Sequence, residues 1–366
     1  MAIERSIPSL HNTFNNKKVL VTGNTGFKGS WLTIWLNKLG ANVSGFSNNQ
    51  ITYPSMYKDL NVGKMVKQTY GDITDFNLLL KTVEKVKPDF IFHLAAQSIV
   101  SKSYTNALET IRTNSYGTAT ILEVMLKSNF QGVAVMVTSD KCYENDERNI
   151  GYVESDRLGG NDPYSASKAS AEIILSSYIR SFFTDNSNNR IAIARAGNVI
   201  GGGDWNENRI IVDCIKAWLA NKSVSVRNPT STRPWQHVLE PLSGYLRLAQ
   251  ILPFEAGING QAFNFGPKES SVYTVKEIVD RLGDYWGHKN INDHYSYSKE
   301  KPIHEASLLS LNCEKAAKDL LWVPKLDINE CLKMVADWYL QYKSNPMKLI
   351  ELTMEQITYY ETKPHK

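Results

Sequence analysis

A glycine-rich turn near the start of the chain constrains the fold more than any other feature. Residues 18–22 predict a short buried strand, and Trp and Leu recur with helical spacing from Gly29 to Leu39. The segment between them, 23–29, has the spacing G-x-x-G-x-x-G. Glycines at such a turn let the backbone approach a pyrophosphate closely, and the following helix N-terminus offers N–H groups to the anion. This region therefore predicts a dinucleotide-binding strand–turn–helix unit.

Strand and helix patterns then alternate as far as residue 195. Further apolar runs that predict strands lie at 42–46, 65–70, 89–93, 133–138 and 191–195. The helical patterns between them lie at 75–86, 106–127 and 162–183. Strands that are apolar on both faces are typical of parallel sheets covered by helices. We therefore predict an α/β fold, a Rossmann-type doubly wound parallel sheet, over residues 1–200.

The alternation stops after Gly201. Gly, Asn, Pro and Trp become frequent there, and helical and extended patterns mix. We interpret residues 201–366 as a smaller, mixed C-terminal region that mainly binds substrate. A return of the chain from this region to the first domain stays open.

Composition excludes several classes of function. The 366 residues carry 41 Lys and Arg against 37 Asp and Glu, without a dense basic block, so we expect no nucleic-acid partner. The N-terminus lacks the apolar core of a signal peptide, and no run of about 18 apolar residues predicts a membrane span. We expect a cytoplasmic protein without a metal site. Its cysteines are widely spaced, form no C-x-x-C pair, and are expected to be reduced: Cys142, Cys214, Cys313 and Cys331.

A second motif indicates catalysis. Tyr164 and Lys168 form a Y-x-x-x-K pair on a predicted helix, and the four-residue offset places them on one face. A tyrosine with a pKa of about 10 is a poor base, and a nearby ammonium is expected to lower that pKa. Ser139 follows a predicted buried strand, and Asn114 lies in the preceding long helix. Together with the glycine-rich turn, these residues predict an enzyme.

Five segments resemble the extended short-chain dehydrogenase/reductase family and, within it, the CDP-glucose branch of the nucleotide-sugar 4,6-dehydratases. They are TGNTGFKGSW (22–31), TSDKCY (138–143), GNDPYSASK (160–168), RAGNVIGGGDW (195–205) and RPWQHVLEPL (233–242). The resemblance extends from about residue 17 to residue 340, and the last two segments are the most specific. It implies a homodimer with NAD as cofactor and CDP-glucose as substrate.

The resemblance also implies a mechanism. Tyr164 takes the proton of the sugar 4-hydroxyl while hydride leaves C4, and the new ketone acidifies the C5 proton. Loss of that proton and of the 6-hydroxyl, followed by hydride return to C6, leaves a 4-keto-6-deoxy sugar. Asp140 would protonate the leaving hydroxyl. Lys141 would act as the C5 base, or it would only stabilise an enolate or pair with Asp140 while another group or water is the base.

The binding residues are carried over from the same resemblance. Those for NAD are Gly23, Thr25, Gly26, Phe27, Lys28, Gly29, Asp72 and Ile73, together with Tyr164 and Lys168. Those for the substrate are Gln97, Asn198, Arg209 and Arg233. The chain departs from the family at Asn24, where His is usual, and at Ser98 and Ser101, which replace Pro and Arg. Residues 47–49 provide no acidic side chain for the ribose, so NADP stays open as an alternative to NAD.

The predicted helices 106–127 and 162–183 match those that pair in related dimers. Their apolar residues are Ile111, Ile121, Leu122, Ile173, Ile174 and Leu175. Rival functions are another enzyme on the same scaffold, such as a 4-epimerase or a reductase, and a protein that binds dinucleotide without catalysis. The Asp140-Lys141 pair favours dehydration over epimerisation, and the presence of both Tyr164 and Lys168 argues against a non-catalytic protein.

Overall fold

The computed structural model describes residues 7–51, 53–183, 188–268, 272–290, 295–297 and 309–364. Its strands are β1 (Lys18–Thr22), β2 (Asn42–Ser47), β3 (Lys67–Tyr70), β4 (Phe90–His93), β5 (Val133–Val137), β6 (Arg190–Ala196), β7 (Val199–Ile200), β8 (Val224–Val226), β9 (Thr232–Pro234), β10 (Gln236–His237), β11 (Ala262–Phe265), β12 (Val272–Thr274) and β13 (Tyr295–Tyr297).

The helices among the described residues are of unequal length. The α-helices are α1 (Leu10–Phe14), α2 (Phe27–Lys38), α3 (Met56–Asp59), α4 (Phe76–Val86), α5 (Val100–Thr105), α6 (Ala107–Ile111), α7 (Gly117–Lys127), α8 (Pro163–Phe182), α9 (Ile210–Leu219), α10 (Leu239–Ile251), α11 (Val275–Trp286), α12 (Glu314–Leu320), α13 (Ile328–Ser344) and α14 (Leu349–Thr362). Short 3-10 turns cover Val62–Met65, Asp140–Cys142, Ala256–Ile258 and Pro346–Lys348, and a π turn covers Arg112–Tyr116.

A parallel sheet forms the centre of the fold, and it confirms the predicted fold class. Its strand order is β3-β2-β1-β4-β5-β6-β11, and every neighbouring pair is parallel. The first six strands have the order 3-2-1-4-5-6 of a doubly wound dinucleotide fold. The order reverses between β1 and β4, and the carboxyl ends of strands at such a switch point are where ligands bind.

Alternate residues of each inner strand pack into two separate apolar layers. In β1, Val19 and Val21 belong to the layer that contains Trp31 of α2, whereas Leu20 belongs to the layer formed with α4, α7 and α8. These side chains are fully buried. Burial of one such side chain contributes about 1.5–3 kcal/mol, so both faces of the sheet hold it in place.

The long helix predicted over 106–127 is present, but it contains a feature that was not predicted. A π turn at Arg112–Tyr116 lies between α6 and α7, and the chain stays helical through it. A π turn adds a residue to the helix and occurs frequently at functional sites. Asn114 lies in this turn and is buried, because its amide bonds to groups outside the helix.

From β7 onward the chain forms short pairs of strands from distant segments. β7 pairs with β10, β9 with β12, and β8 with β13. The chain then crosses back, because β11 extends the large sheet beside β6. Of the helices that the structure describes, none has the length and apolar character needed to cross a membrane.

Candidate active site

A large cavity lies at the carboxyl ends of the sheet strands. Its volume is about 1050 Å³, which reaches the upper end of the roughly 300–1,000 Å³ usual for a site that holds one small molecule. The turn after β1, the segment after β5, the first turns of α8 and the segment 197–213 all contribute to its lining. The cavity has room for two ligands side by side.

The glycine-rich turn has the geometry that its sequence predicts. Gly23 has φ +73°, and a Cβ there would lie 2.7 Å from the backbone nitrogen of Ala95. A Cβ on Gly29 would lie 2.1 Å from the carbonyl oxygen of Gly23, so only glycine allows α2 to start this close to the strand. Gly26 is the N-cap residue of α2 and provides no side-chain cap, which leaves N–H donors for an anion. The predicted cofactor residues that line the cavity are Gly23, Thr25, Gly26, Phe27, Lys28, Gly29, Asp72 and Ile73.

The end of β2 is held to this turn by a polar cluster. The Ser47 hydroxyl donates to Oδ1 of Asn24 at 2.6 Å, and Nδ2 of Asn24 donates to Gln68 at 2.6 Å. Asn24 is fully buried. The residue that departs from the family pattern therefore joins the turn to β2 and β3.

The helix α8 brings Tyr164 and Lys168 into the cavity. Asp162 caps the helix by accepting from the N–H of Ser165 at 3.0 Å, and Pro163 occupies the first turn. Both Tyr164 and Lys168 are buried, and Nζ of Lys168 lies 6.0 Å from the centre of the Tyr164 ring.

The expected lowering of the Tyr164 pKa is wrong in direction. Burial raises the pKa of Tyr164 to about 12, and a hydrogen bond with Ser139 opposes this only in part. Burial also lowers the pKa of Lys168 to about 8. Both shifts have one cause, since a dry site disfavours phenolate and ammonium alike. A further positive charge in the cavity would favour the phenolate.

Ser139, Asp140 and Lys141 form a compact turn after β5. The Ser139 hydroxyl donates to Oδ1 of Asp140 at 2.9 Å and accepts from the backbone N–H of Lys141 at 3.3 Å. Asp140 is buried, and burial raises the pKa of its carboxyl although Lys141, Ser139 and Lys28 act in the opposite direction. A raised pKa favours the neutral acid, which is the form that can donate a proton. Lys141 is half-buried and lines the cavity.

Asn114 holds backbone and helix together beneath the site. Its Oδ1 accepts from the backbone N–H of Gln97 at 2.8 Å, and its Nδ2 donates to the Gln97 carbonyl at 3.0 Å and to Oγ of Ser167 at 2.8 Å. Ser167 in turn donates to the carbonyl oxygen of Tyr164. Asn114 therefore positions the backbone at Gln97 and, through Ser167, the start of α8 that carries Tyr164.

Gln97 does not have the position predicted for a sugar contact. Its Nε2 donates to Ile99 and Thr110 at 3.0 Å, and its Oε1 accepts from the N–H of Ile99 at 2.6 Å. Among the described residues that line the cavity are its neighbours Ala96 and Ser98, but not Gln97. The side chain turns inward because it satisfies the backbone of its own loop.

Asn198, Arg209 and Arg233 all line the cavity. Arg209 forms an ion pair with the buried carboxylate of Asp204 at 2.6 Å. Arg233 donates to the carbonyl oxygen of Thr232 at 2.8 Å. Two guanidinium groups therefore face the part of the cavity formed by the C-terminal region.

A buried ion pair behind the catalytic residues was missed from the sequence. Glu172 accepts from Nε of Arg195 at 2.8 Å and from the Thr138 hydroxyl at 2.6 Å. Arg195 also donates to the Tyr143 hydroxyl at 2.6 Å. The pair joins α8, the end of β5 and β6. Its only sequence signal is that Glu172 lies one helical turn after Lys168.

The fold and this cavity together define an extended short-chain dehydrogenase/reductase. The defining features are the parallel sheet order, the uncapped glycine-rich turn, and Ser139 next to Tyr164 with Lys168 one helical turn on.

Comparisons with known proteins show which family of extended short-chain dehydrogenases/reductases the chain belongs to. A family profile described as GDP-mannose 4,6 dehydratase matches residues 20–335. The chain is similar to a CDP-glucose 4,6-dehydratase of Salmonella typhimurium, with 41% identity over 90% of this chain and 92% of the relative. It is 25% identical to a dTDP-D-glucose 4,6-dehydratase of Homo sapiens over 93% and 94% of the two chains. The chain belongs to the GDP-mannose 4,6-dehydratase family.

Solved structures show the same fold. A dTDP-glucose 4,6-dehydratase of Streptomyces venezuelae, with NAD and TYD bound, is 24% identical with a TM-score of 0.76, over 91% of this chain and 99% of that one. An epimerase of Methanothermobacter thermautotrophicus is 22% identical with a TM-score of 0.79, over 94% and 97%. Because dehydratases and epimerases share the fold, the fold alone does not determine the reaction, and the residues of the site do.

Proposed function

We propose that this protein is a CDP-glucose 4,6-dehydratase that uses NAD and forms CDP-4-keto-6-deoxy-glucose. One observation carries the proposal: a buried carboxyl with a raised pKa, Asp140, lies beside Ser139 in the cavity that also contains Tyr164. An enzyme that only moves hydride at C4 needs no such acid. The similarity to the Salmonella relative supports CDP-glucose as the substrate.

The glycine-rich turn and Asp72 are the residues that would hold NAD. The uncapped start of α2 suits a pyrophosphate, and the cavity has the volume for a dinucleotide beside a substrate. Among the residues that the structure describes, those that line it near the end of β2 carry no Lys or Arg for the 2′-phosphate of NADP: Phe46, Ser47, Asn48, Gln50, Ile51 and Ser55. NAD held there would supply the hydride acceptor for sugar C4 and the hydride donor for C6.

Tyr164 is the base for the 4-hydroxyl in this proposal. Ser139 lies beside its phenol at the end of β5, where the sugar ring would lie. Lys168 provides positive charge one helical turn away, and the charge of the oxidised cofactor would favour the phenolate further. Asn114 keeps α8 and the loop after β4 in register, so we assign it a positioning role.

Asp140 and Lys141 carry the elimination. Asp140 donates a proton to the departing 6-hydroxyl, and its burial raises the pKa of the carboxyl and so favours the protonated form. Lys141 removes the C5 proton, with stabilisation of the enolate by its charge as the alternative role. Gly197 leaves space for the Asp140 carboxyl, because a Cβ on residue 197 would lie 2.8 Å from Oδ2 of Asp140.

Substrate affinity comes from the C-terminal region. Arg209 and Arg233 face one part of the cavity and bind the diphosphate, and Asn198 donates to the same group. Gln97 supports its loop and does not touch the sugar.

The test is an assay of the purified protein with NAD and each of CDP-glucose, dTDP-glucose, UDP-glucose and GDP-mannose. We expect the near-ultraviolet absorbance that 4-keto-6-deoxy sugars develop in alkali, and we expect it first with CDP-glucose. Formation of CDP-galactose without that absorbance would instead identify a 4-epimerase. Conversion of dTDP-glucose alone would contradict the proposed substrate.

We infer further that the protein is a cytoplasmic homodimer. Leu108, Ile111 and Ile173 are apolar and at least 43% exposed, and α6 packs beside α8. Of the other residues named for this surface, Ile121, Leu122 and Leu175 are buried in the core. Four free thiols agree with a reducing compartment. Light scattering at micromolar concentration should give twice the chain mass, and Leu108→Glu with Ile173→Glu should give the monomer.

A further inference from the structure

A carboxylate and a guanidinium from the C-terminal region lie near each other in the cavity. Asp213 is in the first turn of α9, and Arg227 directly follows β8, the strand that packs against α9. Both side chains line the cavity, as do Val226 and Asn228. One wall of the cavity therefore presents an acceptor group and a donor group.

Neither group is used by the fold. In the described part of the chain, the side chains of Asp213 and Arg227 have no hydrogen-bond partner and no opposite charge within ion-pair distance, whereas Arg209 is paired with Asp204. Burial raises the pKa of Asp213, and Arg227 and Lys216 oppose that shift. A half-buried carboxylate without a protein partner costs stability, so its retention points to a ligand.

The position of Asp213 relative to the phosphate-binding residues suits a nucleobase. Arg209 is the N-cap residue of α9, and Asp213 follows it by four residues on the same side of the helix. If Arg209 and Arg233 bind the diphosphate, the nucleoside extends from them along the cavity wall. Asp213 and Arg227 are among the polar groups that line this cavity.

We propose that Asp213 and Arg227 recognise the base of the substrate by pairing with the polar edge of cytosine. This inference rests on the proposed function. A carboxylate only accepts and a guanidinium only donates hydrogen bonds. Cytosine presents an N4 amino donor next to the N3 and O2 acceptors, so both groups find a complement. Uracil and thymine present an O4 acceptor in place of the N4 amino donor, so a carboxylate placed to accept from N4 repels O4.

The proposal predicts a change in base preference and not a general loss of binding. Affinities for CDP and UDP are measured by calorimetry for the wild type, Asp213→Asn and Arg227→Gln. Wild type should bind CDP more tightly. Asp213→Asn should lose about 10- to 100-fold in CDP affinity, the usual value for one specific base contact, and should gain affinity for UDP because an amide can donate to O4. Arg227→Gln should move the ratio in the same direction.

The matched control is Glu207→Gln. Glu207 is another cavity-lining carboxylate near Asp213, and its loss changes the net charge by the same amount. Its ratio of CDP to UDP affinity should equal that of the wild type. The proposal is overturned if the wild type binds both nucleotides equally, or if Asp213→Asn weakens both equally. Arg227 is exposed, so its variant tests the pairing even if Asp213→Asn does not fold.

Turnover separates this inference from the proposed function. If no nucleotide sugar yields a 4-keto product but the CDP preference depends on Asp213, the proposed reaction fails and the base recognition stands. If CDP-glucose is dehydrated but the preference survives in both variants, the reaction stands and the base recognition fails.

Discussion

The large sheet and the C-terminal region are held in place in different ways. Strands of the sheet pair in register over four or five residues, and their alternate side chains fill two apolar layers. The C-terminal strands pair over two or three residues each. The reactive groups lie at the ends of the sheet strands and at the start of α8, whereas the proposed diphosphate and base contacts lie on the less regular part. The catalytic groups, whose positions tolerate little displacement, are thus held by the more regular sheet region.

The largest expected effect is in the sheet region, at Tyr164. Tyr164→Phe keeps the ring and removes the proton acceptor, so kcat should fall by roughly 10²–10⁴. The Kd for CDP, measured by calorimetry, should stay the same because the nucleotide binds on the other region. A variant with nearly normal turnover would show that Tyr164 is not the base and that the two regions are not divided in this way.

Substitutions at the turn after β5 should separate the two proton transfers of the elimination step. Asp140→Asn and Lys141→Met should each lower product formation by roughly 10²-fold or more, because elimination loses its acid or its base. In deuterated solvent, mass spectrometry should find exchange at C5 in the Asp140 variant if that step is reversible, and none in the Lys141 variant. If Lys141→Met alone remains active, the role of Lys141 is not that of the base.

A smaller effect, on binding instead of rate, is expected in the C-terminal region. Arg233→Lys keeps the charge and loses the two-pronged hydrogen bonding to phosphate. KM for CDP-glucose should rise about tenfold, equivalent to about 1.4 kcal/mol, while kcat changes little. Lys216→Arg is the matched conservative change on α9 and should leave KM unaltered. A drop in kcat without a change in KM would place Arg233 with the catalytic residues.

A separate effect, on stability instead of rate or binding, depends on pH. The pKa of Lys168 is about 8 in the folded chain against 10.5 for an ordinary lysine. The unfolded chain then binds more protons between these values, so stability rises with pH in this window. From pH 8 to pH 10 the free energy of unfolding of the wild type should increase by about 2 kcal/mol relative to Lys168→Met. Parallel pH profiles from urea titrations would mean that Lys168 is not desolvated.

The sequence predicts the sheet region well for a physical reason. Buried parallel strands are short apolar runs, and β4 and β5 differ from the predicted ranges by one residue at one end. The glycine-rich turn and the Tyr164–Lys168 pair are local motifs, so their geometry depends on neighbours in the sequence. The π turn was missed because it depends on the bonds of Asn114 to distant groups.

Other features depend on tertiary contacts that no local pattern encodes. The inward side chain of Gln97 and the direction of the Tyr164 pKa shift both follow from burial in the folded chain. Asp213 and Arg227 are unremarkable charges in the sequence, and they become neighbours only because β8 packs on α9. The C-terminal region shows the same limit, since its strands pair segments that are far apart in the chain.

The late arrival of β11 has a consequence for the synthesis of the chain. β6 is buried from Ile191 to Ala196, and one of its edges pairs only with β11. The ribosome must add residues 197–261 before that partner exists, which takes roughly 3–13 seconds at about 5–20 residues per second. During that interval the nascent sheet ends in an apolar strand with unpaired backbone groups, the kind of edge to which other chains add. The length of the segment 197–261 therefore also sets how long the edge of β6 on each nascent chain is exposed to pairing with other chains.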